Sequence, residues 1–311
     1  MREFLMFSGS SHNLFAKKVA DYLGVELGHV INDSFPDGEI SMRFENNVRG
    51  RDVFIVQSIA HHPNDYLMEL FIMADALRRA SAKSISAILP YFGYSRQDRK
   101  DKARVPITAR LVANLIETSG INRVLTMDLH SGQIQGFFDI AVDNLYGRPV
   151  LCEAFMKLQL PKLIVLAPDL GAIKIARAYA NQLNGDFAVM DKRRINSQEV
   201  EILSIIGDVK NKNVLLVDDM CSTGGTMIKA AASCKKAGAN KIFAAFTHGL
   251  FVKNALNDLF ESDIEKIFVS DSIPLEKSIG SKKLEVVSVS GIFGEAVRRL
   301  ISGESVSSIF H

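Results

Sequence analysis

Short apolar runs recur in the same order in the two halves of the chain, and no other feature constrains the fold as much. Val53-Phe-Ile-Val-Gln-Ser58 is matched by Val214-Leu-Leu-Val-Asp-Asp219, and the segment at 80–89 by the one at 237–246. Ile121-Asn-Arg-Val124 and Ile264-Glu-Lys-Ile267 follow, each four residues short of an aspartate, Asp128 and Asp271. Residues 163–166 form a further run of this kind. Continuous Val/Ile/Leu runs without polar alternation suit strands buried on both faces. Amphipathic stretches lie between them. Residues 64–80 predict a helix capped by Asn64, with Leu67, Leu70, Phe71, Ala74 and Leu77 on one face. Residues 226–237 predict another, closed by Gly238. Strands alternating with helices predict an α/β fold in which mainly parallel sheets are flanked by helices.

The recurrence predicts two domains in tandem, with an insertion at 91–110 in the first copy. Gly147 and Pro149 interrupt the pattern within Asn144-Leu-Tyr-Gly-Arg-Pro149. The expected domains are therefore residues 1–145 and 146–290, with 291–311 completing the first. Composition narrows the function classes. The chain has 311 residues, of which 47% are hydrophobic and 23% charged, which excludes a disordered chain. Lys and Arg total 37 against 35 Asp and Glu. Such a balance gives no general attraction to nucleic acid or to an anionic membrane, so any anion site must be a local cluster. Three scattered cysteines, Cys152, Cys221 and Cys234, form neither a disulfide framework nor a zinc site, and a reducing compartment fits them. No run approaches the roughly 20 apolar residues that span a bilayer. These features together predict a cytoplasmic protein.

The strongest chemical signal is Val214-Leu-Leu-Val-Asp-Asp-Met-Cys-Ser-Thr-Gly-Gly-Thr226. A buried strand is expected to end at Asp218 and Asp219, followed by a loop of Ser222, Thr223, Gly224, Gly225 and Thr226 and then a helix. In parallel sheets ligands bind beyond the carboxyl ends of the strands. Small residues let backbone N–H groups approach a phosphate, and hydroxyls add donors. Carboxylates repel a phosphate but accept hydrogen bonds from sugar hydroxyls. The doublet beside the cradle therefore points to a sugar phosphate. There is no Gly-x-x-x-x-Gly-Lys string, which excludes a P-loop nucleotide site. Elsewhere, His130 suits either a core position or a ligand role. Asp169 is a second carboxylate placed at a strand end.

That string resembles the ribose 5-phosphate loop of the class I-like ribose-phosphate diphosphokinases, also called ribose-phosphate pyrophosphokinases or phosphoribosyl diphosphate synthases. Phosphoribosyltransferases share the loop. The rest of the chain resembles the diphosphokinases in order: Phe4-Leu-Met-Phe-Ser-Gly-Ser-Ser-His12, Phe35-Pro-Asp-Gly-Glu39, Tyr94-Ser-Arg-Gln-Asp-Arg-Lys100, Met127-Asp-Leu-His130, Asp191-Lys-Arg-Arg194 and Gly303-Glu-Ser-Val-Ser307. The resemblance implies two type I phosphoribosyltransferase-like α/β domains. It implies transfer of a diphosphoryl group from Mg-ATP to ribose 5-phosphate, with AMP released.

The resemblance also implies roles for single residues. Asp218, Asp219, Ser222, Thr223, Gly224, Gly225 and Thr226 would hold ribose 5-phosphate together with Arg194. Phe35, Asp37 and Glu39, from a neighbouring subunit, would hold the adenine of ATP, and Arg96 and Gln97 would contact the same nucleotide. His130 and Asp169 would bind Mg²⁺, and Lys192 and Arg194 would be catalytic cations, with His130 at the reacting phosphates. Arg49, Arg104, Ser305, Val306 and Ser307 would form a subunit-interface site for activating phosphate and inhibiting ADP. The implied assembly is a homo-oligomer of dimers joined into a hexamer. The chain departs from the family at Ser222, where an aspartate is common, at Ile175, where an arginine is usual, and at Ile195, where a proline is usual. Asn47 and Ala103 replace serines of the regulatory site. These departures keep a non-catalytic regulatory paralogue as an alternative, beside a phosphoribosyltransferase.

Overall fold

The structure, a computed structural model, describes residues 3–193, 202–275 and 281–310. The chain forms two compact units. The first comprises residues 1–146, 272–274 and 289–311, and the second residues 147–271 and 275–288.

The first unit contains β1 (Phe4–Ser8), α1 (Asn13–Leu23), β2 (Val30–Ser34), β3 (Ile40–Phe44), β4 (Asp52–Val56), α2 (Pro63–Arg79), β5 (Ser84–Leu89), α3 (Thr108–Ser119), β6 (Arg123–Met127) and β7 (Ala141–Leu145). Among the described residues its main sheet has five strands, all parallel, in the order β1-β4-β5-β6-β7. β2 and β3 form a separate antiparallel hairpin. The second unit contains α4 (Arg148–Met156), β8 (Leu163–Ala167), α5 (Ile173–Leu183), β9 (Asp186–Arg193), β10 (Ile202–Ile206), β11 (Asn213–Cys221), α6 (Gly225–Lys236), β12 (Ile242–Gly249), α7 (Ala255–Glu261), β13 (Lys266–Ser270) and β14 (Leu284–Val287). The chain then returns to the first unit as α8 (Ser290–Ser302).

The second sheet runs β10-β9-β8-β11-β12-β13-β14 and is parallel except where β10 meets β9. Its stretch β8-β11-β12-β13-β14 has the same order and direction as the whole sheet of the first unit. The recurring runs are thus β4 and β11, β5 and β12, and β6 and β13. In each unit a further strand pair, β2–β3 or β9–β10, stands between the first strand and its central neighbour in sequence. The longer β5–α3 connection, 90–107 against 250–254 between β12 and α7, is the insertion in the first copy.

Side-chain alternation places the cores. Val214 and Leu216 of β11 pack with Met227, Ala230 and Leu259 of α6 and α7. Leu215 and Val217 point to the other face, against Leu151 and Phe155 of α4 and Ala176 and Tyr179 of α5. The stretch covered on both faces, Val214 to Val217, is apolar throughout, which is why it shows no alternation.

Three local expectations need correction. α2 begins at Pro63 with His62 as its N-cap, and Asn64 lies inside the first turn, where its Oδ1 accepts from the Tyr94 hydroxyl. Proline suits that first position because its missing N–H has no partner to lose there. α6 begins at Gly225 and ends at Lys236, with Gly238 in the left-handed region behind it (φ 85°). β11 does not stop at the aspartates: it runs through both to Cys221, with Asp218 opposite Phe246 and Met220 opposite His248.

Thr126 on β6 is 1% exposed, and its hydroxyl has no hydrogen-bond partner. An unpaired buried hydroxyl costs about 1–3 kcal/mol. Thr126→Val is therefore expected to stabilise the protein by about 1 kcal/mol, read as a higher urea midpoint at unchanged slope. A lower midpoint would show that the hydroxyl is satisfied.

Candidate active site

The loop after β11 is built at the carboxyl edge of the second sheet. Asp219 is buried and Asp218 half-buried. Asp218 Oδ1 accepts from the Asp219 amide at 3.0 Å, and Asp219 Oδ1 from the Met220 amide at 2.9 Å. Backbone bonds then pin the turn. The Leu250 and Phe251 amides donate to the Cys221 carbonyl at 2.9 and 3.1 Å, and the Val252 amide donates to Ser222 at 3.0 Å. Gly224 closes it in the left-handed region (φ 75°), where an added Cβ would lie 3.1 Å from Leu259 Cγ. Both facts call for glycine.

α6 starts at the next residue. Its first turn has no side-chain cap and no acidic residue, so the helix offers its amide end to the loop. That end carries a partial positive charge and suits an anion. Ser222, Gly225 and Thr226 are half-buried and Thr223 is exposed around it. An anion seat thus lies beside two carboxylates.

The electrostatics of the doublet are unfavourable without a ligand. Burial raises the Asp218 carboxyl to about 8, and the charges of Asp219 and Asp169 push the same way. Sugar hydroxyls donating to the pair, or a cation beside it, would relieve the repulsion. Asp169 follows β8, and its Oδ1 accepts from the Gly171 and Ala172 amides at 2.9 and 3.2 Å, which fixes the carboxylate at the start of α5. His130 is exposed, in the loop after β6. Among the described residues no group of three or more His, Cys, Asp or Glu side chains is placed to hold a metal. Asp169 offers the oxygen donor that a hard ion such as Mg²⁺ prefers, while His130 offers an imidazole nitrogen, a less common partner for it.

The other expected residues fall as follows. Phe35, Asp37 and Glu39 form the tip of the β2–β3 hairpin, all exposed, with Phe35 at 54%. The Phe35 amide donates to the Glu39 carbonyl at 2.8 Å, and the Glu39 amide to Asp37 Oδ1 at 3.2 Å. Arg96 and Gln97 are exposed on the β5–α3 connection. Gln97 also ties down the start of α3: its Oε1 accepts from Thr108 Oγ1 at 2.5 Å and its carbonyl from the Ala109 amide at 3.1 Å. The backbone of Lys192 pairs with Leu203 in the β9–β10 ladder. Its side chain and the whole of Arg194 lie outside the described residues. Arg49 and Arg104 are exposed. Behind α8, Val306 is buried, Ser305 Oγ lies 2.8 Å from Ser307 Oγ, and Arg299 donates to the Ser305 carbonyl.

The first unit therefore carries Phe35, Asp37, Glu39, Arg49, Arg96, Gln97, Arg104, His130 and Ser305–Ser307. The second carries Asp169, Lys192 and the loop from Asp218 to Thr226. Sequence reasoning missed the counterpart of the doublet. The repeat places Gln57 and Ser58 where the second unit has Asp218 and Asp219, and a buried glutamate, Glu69, meets Gln57 there. The change from Asp-Asp to Gln-Ser between the two copies was the available signal.

Comparison with known proteins agrees over the full length. Residues 4–120 match the family model described as the N-terminal domain of ribose phosphate pyrophosphokinase, and residues 194–311 match that of the phosphoribosyl synthetase-associated domain. The chain is 48% identical over 310 residues to the ribose-phosphate pyrophosphokinase of Wolinella succinogenes, covering 100% of both chains. It is 49% identical over 304 residues to that of Chlorobaculum tepidum, covering 97% of this chain and 94% of the relative. The crystal structure of phosphoribosylpyrophosphate synthetase from Mycobacterium smegmatis superposes with a TM-score of 0.92 at 35% identity, over 97% of this chain and 100% of that one.

The raised Asp218 carboxyl sets a pH dependence. Its pKa rises on folding from 3.8 to about 8, so the folded chain binds the extra proton between those values. Stability is then highest below about pH 4 for this group and is lost as the pH rises towards about 8. The urea midpoint of ligand-free protein is expected to carry this downward component, and Asp218→Asn to remove it. Equal slopes in the two proteins would reject the shift.

Proposed function

The chain belongs to the ribose-phosphate pyrophosphokinase family, and from that premise we propose that it transfers the diphosphoryl group of Mg-ATP to the 1-hydroxyl of ribose 5-phosphate. The products are 5-phospho-α-D-ribose 1-diphosphate and AMP, for nucleotide biosynthesis. The observation that carries this reading is the β11–α6 corner, where a carboxylate doublet, a left-handed Gly224 and an uncapped helix start meet within one loop. The amides and hydroxyls of residues 222–226 hold the 5-phosphate, and Asp218 and Asp219 accept from the ribose hydroxyls.

In the reaction, the anomeric oxygen forms a bond to the β-phosphorus as its hydroxyl proton passes to solvent water. The bond from the β-phosphorus to the α–β bridging oxygen breaks, and that oxygen departs with AMP. Phosphoryl transfer of this kind depends mainly on positioning and on stabilising the charge of the transferring group. Lys192 and Arg194 supply that fixed positive charge. Phe35 stacks on the adenine, with Asp37 and Glu39 accepting from its amino group, while Arg96 and Gln97 contact the nucleotide. His130 and Asp169 would hold Mg²⁺, which when bound neutralises and aligns the triphosphate.

We place the enzyme in the cytoplasm as a homo-oligomer, dimers joined into a hexamer. Among the described residues no helix is long and apolar enough to cross a membrane. Phosphate and ADP act on Arg49, Arg104 and Ser305 to Ser307, where the buried Val306 anchors the exposed serines.

Purified protein given ATP, Mg²⁺ and ribose 5-phosphate is expected to release AMP only when both substrates are present. No AMP, with or without inorganic phosphate, would favour the regulatory paralogue. Lys192→Ala is expected to lower turnover by about 100-fold or more with an unchanged unfolding midpoint. Near-normal turnover would remove that loop from the chemistry.

A further inference from the structure

Glu69 is a carboxylate inside the first unit, 3% exposed on α2. Its Oε1 accepts from the Ser10 amide at 2.8 Å and from Asn32 Nδ2 at 2.7 Å. Its Oε2 accepts from Ser10 Oγ at 2.5 Å and from Gln57 Nε2 at 2.9 Å. All four partners are neutral donors. A buried carboxylate is costly unless its acceptor sites are filled, and four donors fill them. They come from three separate pieces of chain: the loop after β1, the hairpin strand β2 and the end of β4. Ser11 extends the network, its hydroxyl donating to Gln57 Oε1 at 2.6 Å and accepting from the Ser58 amide at 2.7 Å. The packing is tight, since a Cβ on Gly9 would lie 2.3 Å from Gln57 Oε1.

This is the edge of the first sheet that corresponds to the doublet loop of the second. There the loop after β11 leaves Thr223 exposed and the start of α6 without a side-chain cap. In the first unit the corresponding groups are consumed internally, with Glu69 as a built-in anion for the Ser10 amide. One of its four bonds goes to the hairpin. β2 and β3 are not hydrogen-bonded to the main sheet, and residues 31–39 are all exposed. The inner half of the hairpin is fixed by packing, with Phe44 edge-on to Phe7 at 4.7 Å between ring centres. The outer half is tied to α2 by the Asn32–Glu69 bond, three residues before Phe35, and half-buried Ile40 of β3 lies beside Asp65 and Tyr66 of the same helix.

We infer that Glu69 is a positioning residue for the nucleotide, holding the hairpin through Asn32 so that Phe35, Asp37 and Glu39 present a preformed surface to the adenine. This rests on the proposed role of those three residues. A preformed surface spends no binding energy on ordering, so loosening it weakens ATP binding and spares the chemical step.

Two variants test this in the full-length protein, Glu69→Gln and Asn32→Ala. The second removes one donor from an exposed residue and leaves the core intact. Both are expected to speed amide hydrogen exchange in β2 and β3 by about tenfold, the equivalent of one hydrogen bond, with β4, β5 and β6 unchanged. Both are expected to raise the KM for ATP by about tenfold, with kcat at saturating ATP and the KM for ribose 5-phosphate within about twofold. The double variant is expected to be no worse than the worse single one. Unchanged hairpin exchange in Asn32→Ala would overturn the tether. A parallel rise in both KM values, with exchange faster throughout the unit, would make Glu69 a general structural residue and overturn its positioning role. Phe35→Ala separates the two readings. If it leaves the KM for ATP unchanged while Asn32→Ala still loosens the hairpin, the adenine assignment fails and the tether stands.

Discussion

A parallel sheet delivers the carboxyl ends of its strands to one edge, so the loops that follow them gather there whatever their sequence. Both units obey this constraint. At that edge backbone amides at helix starts carry partial positive charge, and strands that are apolar throughout their length end in polar residues. In the second unit the arrangement is extreme, because β11 holds its extended pairing through two adjacent carboxylates before the chain turns. The ladder to β12 fixes their backbone, and the left-handed Gly224 aims the start of α6 at the same place.

That arrangement is electrostatically expensive. Burial and neighbouring carboxylates push the Asp218 carboxyl far above its ordinary value, so the ligand-free loop works against the stability of its own fold. Such stress at a site is relieved by the ligand that the site receives. Ribose hydroxyls donate to carboxylates and a phosphate accepts from amides, so in the proposed function one sugar phosphate would satisfy both halves of the corner. A group carrying negative charge alone would satisfy one half and aggravate the other.

The duplicated architecture shows the same edge put to two uses. With Gln57 and Ser58 in place of the aspartates, the first unit folds its polar groups onto each other and onto Glu69. There the carboxylate's acceptor sites are filled by donors of the unit itself. The residues proposed to meet the nucleotide lie further out, on the hairpin tip and the long β5–α3 connection. The two copies have thus diverged at their strand ends while keeping strand order and direction, because the order is set by buried apolar strands and the ends are not.

Most of the framework was legible in the sequence. Short apolar runs rich in Val, Ile and Leu located β4, β5, β6, β8, β11, β12 and β13, since a strand buried on both faces leaves little room for polar alternation. The loop from Ser222 to Thr226 was legible because glycine and hydroxyl residues in that order have few other uses. The β2–β3 hairpin was harder to see, because its strands are partly exposed and carry no such run. The start of α2 was misplaced because Pro63 and Asn64 are both good starting residues and only the backbone decides between them. The end of β11 was misplaced because local chemistry argues against keeping two carboxylates in a strand, whereas the ladder to β12 keeps them there.

By itself, then, the sequence determined the repeated α/β plan and the glycine and hydroxyl loop that follows the carboxylate doublet, because each depends on residues close together in the chain. Tertiary structure alone decided that Glu69 is buried, that it gathers Ser10, Asn32 and Gln57 around one carboxylate, and that Asp218 feels Asp169 as well as Asp219. Those relations join residues far apart in sequence. A carboxylate's cost or benefit is set by the donors and charges that folding brings to it, and no local pattern records them.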